Sequence, residues 1–280
     1  MGITAAFIRF LLGFGYPLLF ALPASAAINA YSLGASYDAT RSNVIFRVYS
    51  SRAARIEVDL YASPMGSAEV QRFALSANSS DNIFSGSIPV ATLQAAGITG
   101  PVYYGYRAWG PNWPYLTSWT KGSNAGFLSA VDAQGNRFNP NKLLIDPYAR
   151  EISHDPVNAT WTDGTVYASG ASYRNLDSGN VASKSILWAP TSQSVGSKPT
   201  RAQKDDVIYE VNVRGLTEND SSVPATARGT YAGAALKAPY LASLGVTAVE
   251  FQPVQETQND SNDNVPDSTA GQNYWGYNTL

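Results

Sequence analysis

The sequence predicts a mainly β protein: an immunoglobulin-like β-sandwich followed by a single βαβ unit. Three observations carry this reading. Between Ala27 and Trp188, apolar residues alternate with a period of two, and Gly, Asn, Ser and Pro clusters part the runs at sandwich-like spacing. Beyond Val207 the pattern changes to strand, helix, strand. Hydrophobic residues make up 44% of the 280 and charged residues 14%, enough apolar material for a core and no mark of disorder.

Taken in order, residues 1–26 read as an export signal. One charge, Arg9, precedes an apolar run from Phe10 to Leu22, and "ASA" at Ala24–Ala26 has the small-x-small form that a signal peptidase needs. The run is short for a membrane span and is broken by Gly and Pro. The expected mature chain begins near Ala27, carries no membrane segment, and is secreted or periplasmic. In residues 27–188, "NVIFRVYS" sends Val44, Phe46 and Val48 to one face and Ile45, Arg47 and Tyr49 to the other. "RIEVDLY" sends Ile56, Val58 and Leu60 inward, and Arg55, Glu57, Asp59 and Tyr61 outward. "NIFSGSIPV" and "PVYYGYRAWG" are further strands. Residues 189–206, rich in Ser, Thr, Pro and charge, read as a linker or an extended arm.

In residues 207–280, "VIYEVNV" (Val207 to Val213) is a compact, buried strand. "YAGAALKAPYLASLG" then places Leu236, Tyr240, Leu241 and Leu244 on one helical face, with Gly245 as the stop. Pro239 limits this helix, sitting in a first turn or kinking it. "VTAVEFQPV" (Val246 to Val254) is a second buried strand, and a crossover helix between two strands makes them parallel.

Composition removes several chemistries. The net charge of −2 offers no basic field for nucleic acid. Cysteine is absent, which excludes disulfides, thiolate nucleophiles and Cys-zinc sites. The sole histidine, His154 in "REISHDP", reads as a surface or turn residue. Tyr 17, Trp 6 and Phe 10 make the chain aromatic-rich. Flat rings beside amides and hydroxyls suit sugars, although a β-rich core favours the same rings. "QNYWGYNTL" (Gln272 to Leu280) has the look of a sugar-cleft rim. "WGPNWPY" (Trp109 to Tyr115) with Trp119 suits either a glucan platform or a buried interface, the interface being preferred.

The segments "VYYGYRAWGP", "RFNPNKLLIDPYAR", "KDDVIYEVNVRGLTE", "LASLGVTAVEFQPVQE" and "NYWGYNTL" resemble, in this order, the isoamylase and glycogen-debranching branch of the α-amylase superfamily, over nearly all of Ala27 to Leu280. The resemblance implies a starch-binding-like sandwich before a (β/α)₈ barrel, with Val207–Val213 and Val246–Val254 as barrel strands one and two. The barrel would be truncated. In such barrels the active site lies at the C-terminal face, and Tyr277 resembles the family's stacking tyrosine. The implied chemistry is retaining hydrolysis of α-1,6 branch points in glycogen and amylopectin, which uses two carboxylates about 5 Å apart.

Those carboxylates belong to later strands, so no catalytic residue is expected here, and Glu250, Glu256, Asp260, Asp263 and Asp267 receive no such role. The family also implies one calcium, held by Asp155, Glu256, Thr257 and Asn259, with a further carboxylate from beyond Leu280. The calcium site is therefore expected to be incomplete and weak. By spacing alone, "VQETQNDSNDNVPD" reads as a solvated loop, because the Gly and Glu that an EF-hand needs are missing. Three residues depart from the family pattern: Asn212 for His, Gln252 for an apolar residue, and Pro239. Two functions stay open. One is the N-terminal part of an exported debranching enzyme, inactive alone. The other is a secreted, non-catalytic glucan-binding sandwich. Under either, the partner is α-glucan and the chain is expected to be a monomer.

Overall fold

The computed structural model describes residues 33–154, 164–190, 196–197, 199–255, 257, 274–277 and 279. Eight of its strands form two four-stranded antiparallel sheets. One has the order β1-β2-β6-β5, from Gly34–Tyr37, Asn43–Tyr49, Ile83–Pro89 and Ser76–Asn78. The other has the order β4-β3-β7-β8, from Gln71–Ala74, Arg55–Tyr61, Val102–Trp109 and Ser185–Leu187. A short helix, α1 (Val90–Ala95), follows β6 and buries Leu93. The expected alternation holds on the facing sides. Val44, Phe46 and Val48 of β2 meet Ile56, Val58 and Leu60 of β3 and Tyr104 and Tyr106 of β7 in one core cluster.

The far side of β3 departs from expectation. Glu57, Asp59 and Tyr61 are buried, not outward in solvent. A sheath of largely irregular chain, from residues 110–154 and 164–184, covers this face. It lies close to the sheet because β7 carries a glycine there: a β-carbon at Gly105 would stand 2.6 Å from Leu143 Cγ. Buried charges are tolerated only when paired, and these are. Arg107 and Asp59, both fully buried, pair at 2.7 Å, and Asp59 also receives Arg72 at 2.7 Å. Arg107 pairs again with Asp177 of the sheath at 2.7 Å. Lys142 pins the sheath to itself. Its ammonium, a three-proton donor, donates to the carbonyls of Val166, Tyr173 and Leu176 at 2.6, 2.9 and 2.8 Å.

The Trp109, Trp113 and Trp119 rings lie inside this sheath, packed with Tyr115, Phe127 and Phe138. Trp109 and Trp119 meet edge to face at 5.1 Å, and Trp113 donates its indole N–H to the Ala125 carbonyl at 2.8 Å. Their burial overturns the glucan-platform reading of these three residues. Residues of this same chain bury them, and no second module is needed to do so. His154 is half-buried in a bend, between Ser153 and the Val181 carbonyl at 2.7 and 3.0 Å, in keeping with the expected turn position.

The remaining strands, β9 (Ile208–Val211) and β10 (Ala248–Phe251), pair in parallel, with Val211 opposite Phe251. Between them run α2 (Val213–Thr217), α3 (Tyr231–Leu236) and α4 (Ala238–Ser243). The expected strand–helix–strand order and parallel pairing are present, with changes. The expected strand to Val213 stops at Val211, because Asn212 caps α2, accepting the Gly215 N–H at 3.0 Å. Pro239 sits at the start of α4, so the expected single helix is two.

Burial differs more. Both strands were expected to be buried, yet Ile208, Val249 and Phe251 are exposed. Of the expected helical face only Leu241 is buried, while Leu236, Tyr240 and Leu244 are all exposed. A two-stranded sheet has two edges and two faces to cover, and three short helices cover little of them. Among the described residues no helix is long and apolar enough to cross a membrane. The expected signal segment, 1–26, lies outside them.

Candidate functional site

Parallel strands deliver their carboxyl ends to one side, and ligand crevices in such sheets open there. At the carboxyl ends of β9 and β10 lies a cleft of about 470 Å³, lined by Asn212, Val213, Arg214, Gly229, Thr230, Tyr231, Pro253, Val254 and Tyr274. Local chemistry accounts for each wall. One wall is the turn into α2. The second is the start of α3, where Thr230 accepts the Gly233 N–H at 3.3 Å. Tyr231 then reaches across to donate to the Val254 carbonyl at 2.9 Å, joining that wall to the end of β10. In the segment between β9 and β10, Lys237 bonds Asp220 at 2.8 Å and holds its carboxyl well below the usual carboxylate range.

The third wall is Tyr274, the first residue of the stretch 274–277. Asn212 donates its side-chain N–H to the Tyr274 carbonyl at 3.0 Å. Tyr274 and Trp275 meet edge to face at 5.6 Å. Gly276 adopts φ +75° and lies against β10's end, where a β-carbon would stand 2.7 Å from the Pro253 carbonyl oxygen. Trp275 is 57% exposed and Tyr277 is 68% exposed. Tyr277, the expected stacking residue, therefore stands free in the stretch that borders the cleft and does not line it.

The described lining residues offer aromatic faces, amide and hydroxyl groups and one guanidinium, groups that suit binding. Of the four expected calcium ligands, Thr257 alone is described, in an isolated antiparallel bridge with Thr279. Asp155, Glu256 and Asn259 lie outside the described residues, as do Asp260, Asp263 and Asp267. Glu250, in β10, is exposed. Among the described residues no three acidic or histidine side chains cluster as a metal site. Asn212, Arg214, Thr230 and Tyr231 were not singled out as site residues by sequence. A polar residue directly after a compact strand, and a Thr just before a helix, were the available signals.

Comparison with known proteins decides the relationship. The chain is 67% identical over 259 residues to an isoamylase from Flavobacterium sp, a match covering 92% of this chain and 33% of that protein. This chain is a homologue of the isoamylases. It is also 64% identical over 259 residues to the isoamylase of Pseudomonas amyloderamosa, with the same coverage of 92% and 33%. It is 36% identical over 251 residues to a glycogen debranching enzyme of Yersinia enterocolitica, covering 89% of this chain and 32% of that one. The chain thus spans about a third of the length of the relatives it matches. No family model matches it. Among solved structures, the Group B Streptococcus pullulanase SAP matches with TM-score 0.52 at 20% identity, over 81% of this isoamylase homologue and 24% of that chain. The pneumococcal glycogen-degrading factor SpuA matches with TM-score 0.51 at 21% identity, over 81% and 20%. At these identities the structural likeness speaks to fold alone.

Proposed function

We propose that this chain is the N-terminal part of an exported debranching glycoside hydrolase acting on α-1,6 branch points of glycogen and amylopectin. The observation that carries the reading is 67% identity to an isoamylase over 92% of the chain. The cleft at the carboxyl ends of β9 and β10 supports it, since this is where a (β/α)₈ barrel places its active site. In this reading residues 27–188 are the sandwich, 189–206 the linker and 207–280 the first strands of the barrel. Tyr277 stacks under a glucose unit. The reaction is retaining, and its two carboxylates come from parts of the enzyme that this chain does not supply. Calcium belongs to the same reading, with Asp155, Glu256, Thr257 and Asn259 as ligands. So do a cleaved signal at 1–26, a secreted or periplasmic destination, and a monomer.

Titration calorimetry of the chain with maltooligosaccharides tests the rim. Tyr277→Ala is expected to weaken binding roughly tenfold, a loss of about 1.4 kcal/mol. Equal affinity of both forms removes Tyr277 from the site. The chain alone is expected to release no reducing ends from amylopectin, and measurable debranching would overturn its inactivity. Calorimetry with calcium is expected to show weak binding at most. The second reading, a non-catalytic glucan-binding sandwich, is favoured by the complete two-sheet core; glucan affinity retained by residues 27–188 after removal of 207–280 would support it.

A further inference from the structure

We infer that Asn212 is a positioning residue that latches the aromatic stretch 274–277 onto the end of β9, and so sets the rim of the cleft. Asn212 stands where the family that the sequence resembles is expected to carry His. The geometry assigns it work. Its amide is used at both ends: the oxygen accepts the Gly215 N–H at 3.0 Å, and the nitrogen donates to the Tyr274 carbonyl at 3.0 Å. One side chain therefore caps α2 and holds a residue 62 positions away.

Two glycines make room for the latched stretch. At Gly215 a β-carbon would stand 2.7 Å from the Tyr274 hydroxyl. At Gly276 it would stand 2.7 Å from the Pro253 carbonyl. The stretch is thus held from the β9 side by Asn212 and lies close against Pro253 on the β10 side. Trp275, edge to face on the held Tyr274 at 5.6 Å, takes its orientation from that anchor. An exposed aromatic ring binds a sugar better when its orientation is fixed before the ligand arrives, because less freedom is lost on binding.

The glucan part of this inference rests on the proposed function; the latch itself does not. The test is fluorine NMR of the full chain grown with 5-fluorotryptophan, which gives one resonance for each of its six Trp. Trp275→Phe identifies the resonance of Trp275. Asn212→Asp keeps the capping oxygen, since Asp caps helices as well as Asn, and removes the donor to Tyr274. The expected result is that the Trp275 resonance alone shifts or broadens, with unchanged far-UV circular dichroism. Maltooligosaccharide affinity is expected to fall about two- to tenfold, the loss of one net hydrogen bond. Gly276→Ala is expected to displace the same resonance from the other side.

A Trp275 resonance unmoved by Asn212→Asp overturns the latch. So does movement of all six resonances, which would make Asn212 a general stability residue. If the unaltered chain binds no maltooligosaccharide, the glucan reading fails by itself and the resonance still decides the latch.

Discussion

β3 and β9 are both written mainly in apolar and β-branched residues, yet one has neither face in water and the other is largely exposed. β3 lies between β4 and β7, with the second sheet on one side and the sheath on the other. Among the described residues β9 pairs with β10 alone, and Ile208 beside that seam is 56% exposed. The difference lies in what surrounds a strand and not in the strand. Burial belongs to layers, and a parallel pair with three short helices has too few of them. The contrast also inverts the usual placement of charge. β3 carries Glu57 and Asp59 inside, paired with arginines, while β9 and β10 show apolar side chains outside.

Breaking the charge pair should give the largest effect. Arg107→Ala removes the buried guanidinium that Asp59 and Asp177 share, and urea unfolding should show a loss of about 3–5 kcal/mol. A loss below about 1 kcal/mol would mean that the sheath opens to water readily and that β3 is less enclosed than described. Trp113→Ala should come next, at about 3 kcal/mol, through the cavity it leaves. Corrected for the folded fraction, maltooligosaccharide affinity should not change, because the ring is buried away from any ligand.

The third test is alkaline pH. Burial pushes the Tyr61, Tyr104 and Tyr106 phenols well above their ordinary value, with Asp59 adding to this at Tyr61 and Asp146 at the other two. The unfolded chain gives up these protons first, near pH 10, so it binds fewer protons than the folded chain above that point. The contribution of these phenols to stability is therefore full below about pH 10 and should fall as pH rises further. Absorbance at 295 nm should show these three phenols ionising together with the loss of near-UV circular dichroism. Ionisation of all 17 tyrosines with native dichroism intact would break the enclosure argument.

The smallest effect belongs to the other side of the comparison. Val249→Thr on β10 should change stability by no more than about 0.5 kcal/mol and should lower self-association in light scattering, since an exposed apolar face invites contact. A loss of 2 kcal/mol would show that the face is covered after all.

Much of the fold was legible because alternation is a local signal. Val44, Phe46 and Val48 needed only their own spacing to be placed inside. Glu57, Asp59 and Tyr61 were misplaced because an alternating strand implies one wet face, and the sheath that dries it has no period of its own to announce it. Leu236, Tyr240 and Leu244 were misplaced for the converse reason: helical spacing shows that a face exists, not that something covers it. At the cleft, "NYWGYNTL" drew attention to Tyr277 through its motif. The partner of Asn212 could not be read, because a hydrogen bond across 62 positions leaves no trace in local sequence.

Lys142 carries one more consequence. Its ammonium joins three carbonyls of the sheath in a chain without cysteine. Such a clasp has no sulfur for a reductant to cleave and no ion for a chelator to withdraw. Its weak point is acylation, which turns the three-proton donor into an amide with one. Acylation of that nitrogen requires it to release the carbonyls it holds. The rate at which Lys142 is labelled is therefore a clock for the opening of the clasp, read at a single atom.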